Sequence, residues 1–465
     1  MEKTYLLDDE GLKHFIINGY VKVKTDFPVS FHQRIYQQIE EMFEKGGNLG
    51  NNVLPKVPDI QQVFSHPVVH GVLTSILGPN YVMHPHRYCH FNSPGSSGQN
   101  FHKDSYEGDE QVRHHRSRWA MGFYYPQDVT EDMGPTAVLP GTQYYETQTS
   151  AHAHTELPLC GEAGTVTIVH YDLWHRAMPN RSNKKRYMLK FLFTRLEEPT
   201  QPSWASEDVR WRPVDEGPSS YAHQAVWKRL WDWFHGAQKG TVENAEVSRA
   251  DGVPTLIETL RGEDEVASLD AAYALGAIGG PAVPALIEAL QAESEDIRRH
   301  AAYALGAIGA PAVPALIEAL CDASWWVRAN AAQALGYISQ PAKEAVPALS
   351  HALRDGSEWV RRYAAEALGT IGQPAKETVL GLIELLRDTH DWIRNNAVYA
   401  LAKMGPAAKA AVPALTATLN DENRYVRFHA AVALKQIATL EAKDTLFDFL
   451  LTSRWCPLTT TENPY

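Results

Sequence analysis

A unit of 30 to 33 residues recurs through the second half of the chain. VPTL at 253–256 returns as VPAL at 283, 313, 346 and 412 and as VLGL at 379, and an alanine-rich string such as AAYALGAIG follows each time. Each unit predicts two short helices, because the first string carries proline in a first helical turn and the second ends where Gly or Pro follows. One unit cannot bury its apolar face alone. The repeats therefore predict an α-solenoid of about six stacked units over 246–440.

The first half of the chain has no repeat. Amphipathic stretches run to about residue 80, and apolar runs with period-two alternation follow, separated by turn signals such as NSPGSSGQN and PNRSNKK. Short strands at this spacing predict a β-sandwich or barrel with helices packed outside it. The predicted organisation is a first domain over 1–200, a linker with a helix over 201–245, the solenoid over 246–440 and a C-terminal tail over 441–465.

Charge and cysteine content exclude several functional classes. The chain carries 43 basic and 55 acidic residues, a net charge of −12. Because no segment has a basic surplus, neither nucleic acid nor an anionic membrane is an expected partner. No apolar run reaches the ~18 residues that a membrane span needs, and the N-terminal residues lack a signal-peptide pattern. The four cysteines lie far apart with no CxxC pair, which favours the reducing cytoplasm over a disulfide framework.

A candidate metal site is spread over two segments of the first half. His102 and Asp104 are separated by one residue, so on a strand both side chains face the same way and can reach one ion. His175 follows 73 residues later. Two histidines and one carboxylate leave the opposite face of a metal open, which is the arrangement of non-haem Fe(II) oxygenases. Arg186, eleven residues after His175, suits the distal carboxylate of 2-oxoglutarate because a guanidinium stays charged when buried.

The motifs around these residues resemble those of one enzyme family. The HxD pair follows a Gly/Ser-rich turn, and DMGPTAVLPGTQ at 132–143 and LWHRAMPNRSNKKRY at 173–187 complete the pattern. Together they resemble the phytanoyl-CoA dioxygenase-like Fe(II)/2-oxoglutarate oxygenases over roughly 10–200. The resemblance implies a double-stranded β-helix, or jelly roll, with flanking helices.

The resemblance also implies roles for individual residues. His102, Asp104 and His175 would be the iron ligands, Arg186 would anchor 2-oxoglutarate, and O2 would be the second co-substrate. Phe123 falls where some members place an aromatic ring beside the co-substrate. Two positions depart from the pattern, because Lys103 stands where Gln is frequent and Gln143 where His is frequent. The presence of Asp104 favours hydroxylation, since related halogenases lack this carboxylate.

The expected function follows from both halves. The repeats resemble HEAT repeats of the phycobilisome-lyase type. We expect an Fe(II)- and 2-oxoglutarate-dependent dioxygenase that hydroxylates an aliphatic C–H of a small metabolite or natural-product intermediate, with the HEAT domain as scaffold, lid or oligomerisation surface. Two alternatives stay open: a protein, peptide or carrier-tethered substrate recruited by the repeats, and a non-catalytic binding or chromophore-lyase-like protein. Tyr106, Phe123 and Tyr125 are candidates for the wall of the substrate pocket.

Two further features admit two interpretations each. Aromatic residues recur at a spacing of 33 along the second helices of four repeats, namely Trp326, Trp359, Trp392 and Tyr425. Equal repeat positions stack in a solenoid, so these rings form either packing between repeats or a contact surface for a protein partner or a second copy. Lys190 shares strand parity with Arg186, and its side chain is either solvated or in contact with substrate.

Overall fold

The computed structural model of the protein describes residues 5–48, 50–104, 115–151, 154–212, 223–236 and 250–452. The chain divides into two compact units, Met1–Ala237 and Gln238–Tyr465. In the first unit the helices are α1 (Asp9–Asn18), α2 (Val29–Gly46), α3 (Val53–Lys56), α4 (Ile60–Ser65), α5 (Pro67–Leu77), α6 (Gln148–Ala151) and α7 (Gln224–Phe234). The strands are β1 (Tyr20–Lys24), β2 (Tyr81–Asn92), β3 (Trp119–Tyr124), β4 (Thr136–Val138), β5 (Leu157–Pro158), β6 (Thr165–His170), β7 (His175–Ala177) and β8 (Arg186–Arg195).

The strands form two antiparallel sheets. The larger has the order β1-β6-β3-β8-β2 and the smaller the order β5-β4-β7. All ten residues of β8 are buried because both faces of this strand are covered. Met188 and Leu192 point into the core between the sheets, whereas Phe191 and Phe193 pack under the helices with Ile35 and Leu73. This arrangement confirms the predicted jelly roll with flanking helices.

Gln143, one of the two departures from the family pattern, has a structural role at the end of α1. The residue that caps the helix, Gly19, adopts a positive φ of 77°, and a Cβ there would lie 2.6 Å from Gln143 Oε1. Gln143 Nε2 donates to the carbonyl oxygen of Ile16 at 2.9 Å. This amide therefore satisfies a carbonyl in the last turn of α1, where helix carbonyls lack partners within the helix.

The first unit extends beyond the predicted boundary at residue 200. The predicted helix of the 201–245 segment is α7, and it packs on α1. Trp204 stacks edge-on against Trp231 of α7, with 5.5 Å between ring centroids, and its Nε1 donates to Asp9 Oδ1 at 2.7 Å. The described part of this segment is therefore built into the first unit.

The second unit is a stack of helix pairs, as the repeats predict. Its helices are α8 (Val253–Leu260), α9 (Glu265–Ile278), α10 (Val283–Ala289), α11 (Glu295–Ile308), α12 (Val313–Ala319), α13 (Trp325–Ile338), α14 (Val346–Ala352), α15 (Glu358–Ile371), α16 (Lys376–Leu385), α17 (Asp391–Met404), α18 (Val412–Thr418), α19 (Arg424–Ile437) and α20 (Leu440–Thr452). The range 441–465, predicted as a tail, thus includes most of α20, which contacts α19.

Neighbouring repeats are joined by a periodic ion pair. Arg328 Nε donates to Asp355 Oδ2 at 2.7 Å, and Arg361 pairs in the same way with Asp388 one repeat later. Each aspartate also accepts a backbone N–H at the start of its own repeat's second helix, as Asp355 does from Ser357 at 2.9 Å. Each arginine–aspartate ion pair therefore joins one repeat to the next.

Among the described residues, no single helix is long and apolar enough to cross a membrane, and one pair, Glu295–Ile308 with Ala310–Ala319, reaches the threshold only jointly across a bend of 119°.

Candidate metal centre

His102 and His175 are held together by their backbones. The His102 N–H donates to the His175 carbonyl oxygen at 2.9 Å, and the His175 N–H donates back at 3.0 Å. His175 begins β7, whereas His102 lies outside the named strands and joins β7 only through this isolated bridge. The HxD pair was predicted to lie on a strand, but His102 forms only an isolated β-bridge and belongs to no named strand.

The orientation of both imidazoles favours metal binding through the same ring atom. His102 Nδ1 lies 3.0 Å from the carbonyl oxygen of Asn100, and His175 Nδ1 lies 2.9 Å from that of Leu173. A carbonyl oxygen only accepts hydrogen bonds, so Nδ1 carries a proton in each ring and Nε2 is the nitrogen left to bind a metal. Burial lowers the pKa of His175 to about 4, so this ring is a neutral ligand at physiological pH.

Asp104 completes a group of three potential ligands. One ligand atom from each of His102, Asp104 and His175 lies within 4.8 Å of the others, and within the described residues this is the only such group. Burial opposes ionisation of Asp104, but the adjacent Lys190 ammonium group outweighs it and holds the pKa of this carboxyl well below its usual range. Two imidazoles and one carboxylate fit a divalent iron ion.

Arg186 is a buried cation with donor capacity left over. Its side chain is 1 % exposed, its Nε donates to the Gly134 carbonyl oxygen at 3.0 Å, and its Nη2 is buried with no hydrogen-bond partner. No ion pair joins it to an acidic side chain anywhere in the described ranges. An anionic carboxylate would satisfy both the charge and the free N–H groups, so this environment fits the distal carboxylate of 2-oxoglutarate.

Phe123 lies beside the three ligands. It is fully buried, and its ring centroid is 5.8 Å from that of His175. Tyr125 faces the same core, but its hydroxyl accepts a hydrogen bond from the Thr136 N–H at 3.0 Å, which is a structural contact. Tyr106, the third aromatic predicted near the pocket, lies outside the described residues.

Lys190 is a residue at this site whose surroundings the sequence left undecided. The structure buries it against Asp104, with Nζ 2.7 Å from Oδ1 and 2.8 Å from Oδ2. The solvated interpretation is therefore wrong, because only 5 % of this side chain is exposed. Lys190 and Arg186 lie on the same face of β8, and this shared parity was the sequence signal that could have placed Lys190 at the site. The sequence analysis did not single out His90 of β2, whose Nε2 is buried without a hydrogen-bond partner and whose backbone pairs with Met188 of β8.

Comparisons with known proteins agree with this geometry. Residues 32–188 match the family model of phytanoyl-CoA dioxygenase (PhyH). The first unit therefore contains a phytanoyl-CoA dioxygenase domain. The match spans the three ligand candidates and Arg186, and the family consists of non-haem enzymes that depend on 2-oxoglutarate. The predicted enzyme class and its cofactors, Fe(II), 2-oxoglutarate and O2, are thereby confirmed.

The second unit matches HEAT repeats over 253–335, 313–381 and 379–456, as predicted. A search of curated protein sequences found no match. Among solved structures, this chain is similar to the non-haem α-ketoglutarate-dependent carbocyclase SnoK of nogalamycin biosynthesis, with 16% identity and a TM-score of 0.35 over 41% of this chain and 85% of that one.

Two further solved structures are similar to this chain at comparable levels. The non-haem α-ketoglutarate-dependent epimerase SnoN of nogalamycin biosynthesis has 11% identity and a TM-score of 0.36, over 41% of this chain and 81% of that one. The nickel complex of the non-haem monooxygenase ThoJ has 15% identity and a TM-score of 0.33, over 48% of this chain and 94% of that one.

Proposed function

We propose that the dioxygenase domain hydroxylates an aliphatic C–H bond of a small metabolite or natural-product intermediate. The observation that carries the proposal is the meeting of His102, Asp104 and His175 in one group within a domain that also buries the unpaired Nη2 of Arg186. The presence of Asp104 favours hydroxylation, because the halide position of related halogenases is created by the loss of this carboxylate.

His102, Asp104 and His175 would hold Fe(II), and Arg186 would hold the distal carboxylate of 2-oxoglutarate. When bound, iron supplies the oxidation in which O2 and 2-oxoglutarate give succinate, CO2 and one oxygen atom that becomes the substrate's hydroxyl group. The chain itself binds and orients the reactants, and it excludes water from the site. The Nδ1 hydrogen bonds fix the two imidazoles, and the fully buried Phe123 covers the His175 side.

The test is turnover of 2-oxoglutarate by the full-length protein. We expect Fe(II)-dependent release of succinate, stimulated by one compound in a metabolite library. His175→Ala should abolish it while preserving the circular dichroism spectrum. His351→Ala, at an exposed position of the second unit, is the matched control and should retain full activity. Undiminished succinate release by His175→Ala would contradict the proposed ligand set, and an absence of turnover with intact metal binding would favour a binding protein.

A protein- or carrier-tethered substrate is the second candidate. It is favoured by one observation, which is that Trp326, Trp359, Trp392 and Tyr425 are only half-buried in the solenoid, next to Trp325, which is 42% exposed. If the repeats recruit the substrate, Trp325→Ala should raise the KM for that substrate and leave substrate-free turnover of 2-oxoglutarate unchanged. A small-molecule substrate with an unchanged KM would favour the first candidate.

A further inference from the structure

The strand register places Lys190 on the row of side chains that faces the space between the two sheets. On β8, Met188 and Leu192 belong to the inter-sheet core, and Lys190 lies between them with the same parity. Its Cα pairs with that of Phe123 on β3, which itself pairs with Thr167 on β6. Since the Phe123 ring centroid lies 5.8 Å from that of His175, this row of side chains lies beside the candidate metal ligands.

The two short contacts of Lys190 define where its ammonium group lies. Nζ is 2.7 Å from Asp104 Oδ1 and 2.8 Å from Oδ2. An atom nearly equidistant from both oxygens lies close to the bisector of the carboxylate. That is the position from which a metal ion would chelate a carboxylate with both oxygens. Lys190 therefore fills the bidentate face of Asp104.

One oxygen of Asp104 faces the histidines. Oδ2 lies 3.6 Å from His175 Nε2, and both oxygens keep lone pairs beyond the one that Lys190 engages. A cation held by the two imidazoles can therefore reach Asp104 through a single oxygen without displacing Lys190.

We propose that Lys190 is a positioning residue that restricts Asp104 to one oxygen ligand on the metal. The inference rests on the proposed function, because it concerns the same three ligands. Three protein donors leave three positions on a six-coordinate ion, two for the chelating co-substrate and one for O2. A second oxygen from Asp104 would take one of them. Lys190 thus preserves the open positions on which the reaction depends.

The position of Lys190 has a second consequence, which concerns metal affinity. A buried ammonium group repels a divalent cation nearby and competes with it for the carboxylate. Removing the charge should tighten metal binding while reducing the number of open positions. A positioning role thus predicts that the variant binds the metal more tightly but has fewer open positions for the co-substrates. A merely structural ion pair predicts the opposite effect on affinity, because its loss would loosen Asp104 and weaken metal binding.

The experiment uses the full-length protein loaded with Mn(II), which is observed directly by electron paramagnetic resonance. In Lys190→Met, whose side chain has a similar length but no charge, we expect Mn(II) affinity to rise roughly tenfold or more. Water-proton relaxation per bound Mn(II) should fall by about a third, since one of three water positions is lost. Binding of 2-oxoglutarate to the Mn(II)-loaded variant should weaken.

Control variants separate the charge of Lys190 from its hydrogen bonds and from folding. Lys185→Met removes a partly exposed lysine that pairs with Glu40 just before the same strand, and it should match the wild type in all three measurements. Lys190→Gln keeps a hydrogen-bond donor without the charge. It should raise the affinity as Lys190→Met does, and it provides the test if the methionine variant does not fold.

Three outcomes would overturn the inference. Unchanged or weaker Mn(II) affinity in both Lys190 variants would mean that the ion pair is structural. Unchanged water relaxation with tighter binding would mean that Lys190 affects charge alone. Mn(II) binding by the wild type that His175→Ala does not reduce would overturn the ligand set as well, and the proposed function with it, so the two failures are distinguishable.

Discussion

His102 and His175 exchange two backbone hydrogen bonds, with N–O distances of 2.9 Å and 3.0 Å. This reciprocal bridge fixes the HxD segment against β7 through main-chain atoms. The side chains of both histidines are therefore positioned without any contribution from a bound ion. A site preorganised in this way loses little conformational entropy when it binds a cation.

The first prediction separates metal binding from folding. In His102→Ala the backbone bridge persists, so the metal-free melting temperature should change little. Adding Mn(II) should raise the melting temperature of the wild type, because ligands that bind only the folded state stabilise it. The same addition should not stabilise His102→Ala. An equal metal-induced rise in the variant would exclude His102 as a ligand.

A second prediction concerns the co-substrate. Arg186→Gln should raise the 2-oxoglutarate concentration needed for half-maximal succinate release by roughly ten- to hundredfold, since one charge-assisted pair is lost. Its Fe(II) requirement should stay the same. Arg181→Gln is the control, because Arg181 is an exposed arginine only a few residues away in the chain. A larger effect of Arg181→Gln would move the carboxylate anchor to that residue.

The site was predictable as far as residue types and spacing carry information. Strand parity and spacing brought out His102, Asp104, His175 and Arg186 as candidates, and the strand and turn pattern predicted a β-sandwich or barrel. The jelly roll itself was implied by the family resemblance. The partner of Lys190 was not predictable, because parity places a side chain on a face of a strand but does not say which residue from elsewhere in the chain meets it.

The segment holding His102 was predicted as a strand for a related reason. The side chains of His102 and Asp104 converge as on a strand, although the segment pairs with β7 only through the bridge to His175 and the hydrogen bond from the Gln99 N–H to the Ala177 carbonyl oxygen at 2.8 Å. Sheet pairing is a tertiary property, and local sequence reports it weakly. In the solenoid, by contrast, the second helices of adjacent repeats pack on one another, as α13 does on α15 and α15 on α17, so the repeat period alone predicted most of its architecture.

A third prediction tests the close packing of the second helices. A Cβ placed on Gly306 would lie 2.6 Å from Tyr337 Cβ. Alanine favours helices over glycine by up to about 1 kcal/mol, yet overpacking costs about 1–3 kcal/mol. Gly306→Ala should therefore lower the free energy of unfolding measured by urea titration. Gly356→Ala, at a position with no atom within 4 Å of a Cβ, should not, and equal effects would contradict this account.

The half-buried aromatic residues give a fourth prediction. The rings of Trp359 and Trp392 lie 5.3 Å apart, and the Arg362 guanidinium lies 5.5 Å from the first and 5.2 Å from the second. These contacts join adjacent repeats, so Trp359→Ala should lower the free energy of unfolding by about 1–3 kcal/mol, less than a core truncation. Trp325→Ala, at the 42% exposed ring, should stay within about 0.5 kcal/mol of the wild type. The reverse order would favour the contact-surface interpretation.

The fifth prediction concerns the stability of the solenoid in acid. His300 on α11 is 5% exposed, and burial, aided by the charge of Arg299, lowers its pKa to about 4 against the attraction of Glu265 and Asp296. In the unfolded chain the ordinary pKa of about 6.5 applies. Between these two values the unfolded state binds the proton and the folded state does not. The free energy of unfolding must therefore fall as the pH drops from about 6.5 towards 4.

The linkage relation gives the size of this loss. At pH 5 it amounts to about 2 kcal/mol for this one group, and above about pH 7 the contribution is constant. Urea titrations at pH 7 and pH 5 should show that His300→Gln, which cannot take up the proton, loses less stability between the two pH values than the wild type. His351→Gln, at an exposed position, should keep the wild-type difference. If His300→Gln loses as much stability as the wild type, protonation of the buried histidine is not what destabilises the solenoid, and repulsion or ion-pair loss elsewhere among its many carboxylates must account for the pH dependence.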